Sequence, residues 1–293
     1  MNGLNASETV INIDVEQVLR NRLPRVAKFL PKSIIEWLKR TICQDELNEL
    51  LAANAGKTGV EFCRGVLSSL GITTELRGAE NLPDPANRRV VLVCNHPLGG
   101  LDGVALIDVV QRHFGGQVWF VVNDLLMAVK PLENVFLPIN KYGSQSRTST
   151  VKLDEAFAGN DPIIVFPAGL VSRLQKLPVD GRMVTMVHDL QWHKMFVNKC
   201  VQFKRDLVPM FFSGQNSGDF YRKARLRKRL GIKFNIEMVY LPREMFLAKG
   251  KSFTVFVGAL KKYGELVGGK KALECASAIC DEVYRLPRQF SAE

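Results

Sequence analysis

The chain has 293 residues, 46% of them apolar and 24% charged, enough for one large domain, or a domain with a sizeable appendage, around a buried core. Forty Lys and Arg against 29 Asp and Glu leave a formal charge of +11, which favours an anionic partner without choosing among nucleic acid, a membrane surface and an acidic carrier or substrate. No apolar run approaches the roughly 20 residues that cross a bilayer. The amino-terminal MNGLNASETVINIDVEQ has no basic start followed by an apolar core, and the six scattered cysteines contain no CxxC pair. No secretory signal, zinc site or disulfide framework is expected, and a reduced cytoplasmic protein is.

Residues 1–80 lack strong strand signals and read as an amino-terminal helical region. Leu23, Val26, Ala27, Leu30, Ile34 and Leu38 fall at helical spacing, with Pro31 placed to kink or split the helix. QDELNELLAANAG and TGVEFCRGVLSSLG predict two further helices, ending at Gly56 and Gly71. NLPDPANRR, residues 81–89, is a turn-rich boundary. Beyond it, over 81–293, five apolar runs read as buried strands: RVVLVCN, VWFVVND, DPIIVFPAG, LVPMFFSG and FTVFVG. Helical patterns over 103–112, 148–157, 220–230 and 270–284 alternate with them. The expected fold class is α/β, a central, mostly parallel sheet flanked by helices.

His96 lies just past the carboxyl end of the first strand, in VVLVCNHPLGGLDGVALIDVV, and such strand ends are where α/β sheets build sites. A neutral imidazole takes a proton from a hydroxyl best when a carboxylate fixes its tautomer. Asp102 is the nearest carboxylate downstream, and Gly99 and Gly100 permit the turn that would return it. Alternatively, Asp102 caps a helix beginning at Gly103; the two roles are compatible. IIVFPAGLVSR is a second strand end, with Arg173 able to fork onto a carboxylate or phosphate, or simply to be a surface arginine. VFLPINKYG places Lys141 after an apolar run, and Pro209 sits within LVPMFFSG.

These four pieces, in this order, resemble the glycerolipid acyltransferase family, which includes the lysophosphatidic acid acyltransferases. The family's first motif, NH-x4-D, matches Asn95, His96 and Asp102. Lys141 falls where its second motif carries a basic residue. Its third, FPEGTRS, corresponds to FPAGLVSR, with Phe166, Pro167 and Gly169 kept and Ser172 and Arg173 completing the stretch, and its fourth matches Val208–Pro209. The resemblance spans about residues 85–260. It implies that His96 is the base, Asp102 its partner, and the other matched residues substrate-binding. An acyl chain would pass directly from an acyl carrier protein or coenzyme A thioester, with no cofactor and no metal. Three departures stand out. Five residues rather than four separate His96 from Asp102, Ala168 replaces the glutamate of the third motif, and Asn140-Lys141 replaces the usual end of the second. The last two fall in the acceptor half of the site, implying conserved chemistry on a different acceptor. NHPLGGLDG, LQWHKMF, FSGQNS and LRKRLGIKFNIEM are similar to a Bacteroidetes-type, hemolysin-like subgroup. Its members acylate the hydroxyl of an N-(3-hydroxyacyl)glycine or a lyso-ornithine lipid. A phospholipid-pathway enzyme and a lipid binder with a degenerate acyltransferase fold are the alternatives.

The net charge alone also suggests a nucleic-acid binder, but no stacking aromatics or recognised motif accompany it. A serine hydrolase would need a GxSxG elbow, which is absent. In YRKARLRKRLGIKF, Arg222, Arg225, Arg227 and Lys228 belong to a run of seven cations without an acid. It reads as a solvated face, an anionic-membrane contact or a carrier-docking surface. Phe29 and Trp37, among basic residues, mark residues 23–40 as a membrane-interface segment or as a helix packed on the sheet. The expected place is the inner face of the cytoplasmic membrane.

Overall fold

In a computed structural model of the chain, residues 12–22, 24, 28–139, 147–179, 181–232 and 234–290 are described. The strands are β1 (Thr73–Arg77), β2 (Val90–Cys94), β3 (Trp119–Asn123), β4 (Phe136–Ile139), β5 (Ile163–Val165), β6 (Arg173–Val179), β7 (Arg182–His188), β8 (Asp206–Phe212) and β9 (Ser252–Val257). The helices are α1 (Val15–Arg22), α2 (Lys32–Thr41), α3 (Gln44–Ala52), α4 (Gly59–Ser69), α5 (Gly100–Phe114), α6 (Arg147–Ala158), α7 (Met195–Phe203), α8 (Gly218–Arg229), α9 (Leu241–Leu247) and α10 (Ala272–Gln289). Seven strands form one sheet in the order β1-β9-β8-β2-β5-β3-β4. Every neighbouring pair is parallel except β8–β9. The fold is the expected α/β class, and all five expected apolar runs lie in this sheet.

Side chains alternate across β2. Val90, Leu92 and Cys94 meet Phe62 and Val66 of α4 and Leu106 and Val110 of α5 on one face. Val91 and Val93 meet Phe157 of α6, Phe196 of α7 and Ile279 of α10 on the other. Both faces are covered, so the strand is apolar throughout rather than alternating. Each such buried side chain contributes roughly 1.5–3 kcal/mol over its exposed state, which holds β2 in register at the centre. From β2 the chain passes through α5 to β3, beyond β5 in the sheet. From β5 it returns through α7 to β8, on the far side of β2. The adjacent carboxyl ends of β2 and β5 therefore flank the switch point where open α/β sheets bind ligands.

Four strands had no counterpart in the sequence reading. β1 is an edge strand of alternating exposed and half-buried residues, TTELR, with no apolar run, and its pairing with β9 makes it a strand. Sheet and core therefore extend into the region before residue 80, where α4 packs on the sheet. β4 is a four-residue edge strand whose Pro138 suits an edge. β6 and β7 form a separate antiparallel hairpin, signalled only by Asp180-Gly181 between alternating residues. Pro31 splits rather than kinks: it is the N-cap of α2, and α1 precedes it. α5 begins at Gly100, three residues before the expected start, so Asp102 lies inside the helix and is not its cap.

Candidate active site

His96 follows β2 by two residues. Gly99, at φ +87°, caps α5 and turns the chain back, a conformation that side chains other than glycine resist. A Cβ there would also sit 2.9 Å from Leu241 Cδ1. This turn absorbs the additional residue between His96 and Asp102: Nδ1 of His96 lies 3.0 Å from Asp102 Oδ2. Asp102 is completely buried. Its Oδ2 also accepts the Leu98 N–H at 2.8 Å, and its Oδ1 accepts the Gly103 N–H at 2.9 Å. A carboxylate only accepts, so His96 carries its hydrogen on Nδ1 and keeps the Nε2 lone pair for another proton. The imidazole stacks on Phe166, centroids 4.1 Å apart and planes at 21°. Phe166, the first residue past β5, is braced edge-on by Phe120. The His96 ring is thus held from both strands of the switch point.

The main chain of His96 is held as firmly. Its carbonyl accepts the Ser172 N–H at 2.7 Å, and its N–H donates to Asp189 Oδ1 at 3.2 Å. Ser172 Oγ donates to the same oxygen at 2.5 Å, and Trp192 Nε1 donates to Asp189 Oδ2 at 2.9 Å. Burial pushes the Asp189 carboxyl above its ordinary value of 3.8, against these three donors, which pull it down. Asn95 is buried, with its Oδ1 accepting the Phe212 N–H at 2.7 Å and its Nδ2 donating to the Phe212 carbonyl at 3.1 Å. The carboxamide thereby ties the residue after β2 to the last residue of β8. Asn95 and Ser172 were expected at the substrate, but both are committed to holding the strand ends.

Arg173 departs from expectation in the same way. Its guanidinium donates to the carbonyls of Val171 and Ser172 and to Oε1 of Glu237 at 2.8 Å, and it lies over the Phe220 ring. Glu237 is fully buried. Its Oε2 lies 2.9 Å from Arg227 Nε, an ion pair off the hydrogen-bonding line. Arg173 is thus the inner member of an Arg173–Glu237–Arg227 cluster rather than a free fork, and burial lowers its pKa. Arg227, expected on the docking surface, also turns inward. Arg222 is exposed and paired with Asp219, while Arg225 and Lys228 are exposed. Pro167 accepts the His193 N–H at 3.0 Å, and Gly169 turns at φ +61°. Ala168, in place of the glutamate, is buried in the apolar cluster that contains Trp192. Lys141 and Asn140 lie outside the described residues. Phe29 and Trp37 are 86% and 52% exposed.

The family model described as Acyltransferase matches residues 17–291. The chain belongs to the acyltransferase family. A lyso-glycine lipid O-acyltransferase of Bacteroides thetaiotaomicron is 40% identical over 279 residues, 95% of this chain and 99% of the relative. Another so named, from Phocaeicola vulgatus, is 40% identical over 279 residues, 95% and 96% of the two chains. The solved 1-acyl-sn-glycerophosphate acyltransferase of Thermotoga maritima aligns with a TM-score of 0.46 at 15% identity, over 94% of this chain and 87% of its own. Two residues of this acyltransferase's site went unread in the sequence, Asp189 and Glu237. Neither lies in one of the four family motifs; Asp189 reaches His96 across 93 positions and Glu237 reaches Arg173 across 64. Their only signal is an acid beside an aromatic-rich or apolar segment, HDLQW and FNIEMVY.

Proposed function

We propose that this acyltransferase moves an acyl chain from an acyl carrier protein or coenzyme A thioester to the hydroxyl of a lyso-aminolipid such as N-(3-hydroxyacyl)glycine, with His96 as general base. The carrying observation is the His96–Asp102 pair at the switch point, with Nδ1 engaged and Nε2 without a hydrogen-bond partner among the described residues; the names of the two 40%-identical relatives support the acceptor. As the acceptor oxygen attacks the thioester carbonyl, its proton passes to Nε2. A C–O bond forms and the carbonyl electrons move onto oxygen. Collapse re-forms the carbonyl and breaks the C–S bond, and the thiolate takes the proton back from Nε2. The buried Asp102 charge offsets the imidazolium in between. No acyl-enzyme is needed. Cys94 is wholly buried, which keeps it a thiol by pushing its pKa up, and the Ser172 hydroxyl is engaged by Asp189.

Lys141 is proposed to meet the acceptor's anionic group. Approach is proposed to be peripheral, on the inner face of the cytoplasmic membrane. No described helix is long and apolar enough to cross a membrane. Exposed Phe29, Ile34 and Trp37 continue, through a Trp37–Tyr240 ring contact at 6.5 Å, to exposed Phe234 and Ile236. Leu241, next in the chain, packs against the Gly99 turn, so this apolar face adjoins the catalytic turn. Arg225, Lys228 and Arg229 of α8 are exposed and supply charge for an anionic surface. The test offers purified protein acyl-carrier and acyl-coenzyme A donors with N-acylglycine, lyso-ornithine lipid and lysophosphatidic acid in parallel. The reading expects product with the aminolipids and none with His96→Ala. Transfer to lysophosphatidic acid alone, or an active His96→Ala, overturns it.

A further inference from the structure

Asp189 is a carboxylate that the site's structure alone does not demand. It is buried, and its three side-chain donors, the His96 N–H, Ser172 Oγ–H and Trp192 Nε1–H, are all neutral groups. Its own N–H donates to Tyr284 Oη at 2.7 Å. Among the described residues it has no Lys or Arg partner. A buried charge without a cation costs several kcal/mol. Neutral donors can be met by neutral acceptors at lower cost, and a charge kept at such a position is a mark of functional sites.

The connections indicate what the charge does. His96 N–H and Ser172 Oγ–H converge on one Asp189 oxygen, while the Ser172 N–H returns to the His96 carbonyl. This closed ring holds both main-chain polar groups of His96 after β2 has ended, so it sets where the imidazole stands between Asp102 and Phe166. It also ties the end of β7 and, through Tyr284, α10 to the same point. The Asp189 carboxylate lies one hydrogen bond, at 3.2 Å, from the main chain of the residue that carries the imidazole. Asp102 holds the ring from the Nδ1 side, and Asp189 faces it from behind the main chain. The imidazolium formed during transfer therefore has one buried carboxylate on its ring and a second on its own main chain.

We propose that Asp189 is a positioning residue for His96 and the second buried negative charge that balances its imidazolium in the transition state. The proposal rests on the base role of His96. Asp189→Asn removes the charge and keeps an oxygen for His96 and Ser172, but it turns an amide N–H₂ toward Trp192. Asp189→Asn is therefore compared in a Trp192→Phe background with Trp192→Phe alone. Displacing a reacting group by about 1 Å can cost roughly 10²-fold. The expected result is a fall in kcat of about that size, with KM for donor and acceptor within twofold and melting retained. Asp189→Glu, which restores the charge, should recover part of kcat. Should the asparagine variant fail to fold, Ser172→Ala opens the ring and leaves the charge; it should lower kcat without moving KM. An asparagine variant as fast as its background, or a Ser172→Ala defect confined to KM for the acceptor, overturns the proposal. His96→Ala is run alongside. If it is inactive while Asp189→Asn is fully active, only this inference fails; if it is active, the base mechanism fails with it.

Discussion

Asp102→Asn separates orientation from charge at the proposed base, His96. Asp102 makes three contacts: two from backbone N–H groups, Leu98 and Gly103, and one from the His96 ring. Alanine would orphan both buried N–H groups at about 1–3 kcal/mol each, or roughly 2–6 kcal/mol in all. That approaches the whole stability of a marginal domain, about 5–15 kcal/mol, so a dead alanine variant would say little. Asparagine has two orientations. With its oxygen toward Leu98 and His96, it keeps both bonds and the Nδ1–H tautomer, and turns N–H₂ against the Gly103 N–H at a cost of about 1–3 kcal/mol. With N–H₂ toward His96, it also opposes the Leu98 N–H and drives the imidazole to the wrong tautomer. The first costs less folding energy, so the variant should fold with a modestly lowered melting temperature. In either orientation the charge facing the imidazolium is gone, and kcat should fall about 10²–10⁴-fold. The assay is steady-state transfer to a hydroxylated acceptor at equal folded concentration, checked by circular dichroism. Turnover within threefold of the parent would refute the reasoning, because Asp102 would then be a brace for the turn and nothing more.

Ala168→Glu should not create a glycerophosphate enzyme. It places a carboxylate without a partner in the apolar cluster around Trp192 and should cost about 3–5 kcal/mol of stability in a denaturant titration. Phe29→Ser with Trp37→Ser should weaken binding to anionic liposomes roughly tenfold or more even at low salt, since partial burial of an aromatic ring contributes up to about 1.5–3 kcal/mol. Reversing Arg225 and Lys228 should flatten the salt dependence in co-sedimentation, whereas Arg227→Glu should destabilise the fold by breaking the pair with buried Glu237. Asp189 has a folded pKa raised above 3.8 by burial. Its contribution to stability is therefore full below the unfolded value and is lost as pH rises through the folded one. The melting temperature of Asp189→Asn minus that of the parent should grow more positive from about pH 4 upward, and a flat difference would contradict the raised value.

The legible part of the fold was its centre. Strands buried on both faces must be apolar at every position, so β2, β5 and β8 announce themselves in one sequence. Edge strands carry no such demand. TTELR satisfies half its hydrogen bonds through β9, 175 or more residues away, and nothing within its five residues encodes that partner. The base pair was legible for the opposite reason. His96 and Asp102 are six residues apart, and a glycine turn closes so short a distance with few alternatives.

Arg173 shows where such reading stops. A sequence shows that a cation follows a strand end, but not which way it points. That direction was decided by Glu237, 64 residues on, which is buried and whose charge needs compensating there. Two guanidiniums around one carboxylate satisfy that need and leave one positive charge in excess, shared inside the protein instead of offered at the surface. The same logic applies to the acceptor. The third motif has exchanged a glutamate for buried Ala168, and the arginine that follows it is engaged inward with Glu237. On the proposed reading, recognition of the acceptor's carboxylate falls to Lys141. Lys141→Ala should then raise KM for N-acylglycine about tenfold or more, the loss of one charged hydrogen bond at about 1.5–3 kcal/mol, and leave KM for the donor in place. Arg173→Lys should instead lower folded stability and affect both substrates alike. A variant pattern with these two effects exchanged would return acceptor recognition to the third motif and show that the Arg173–Glu237 pair opens when lipid binds.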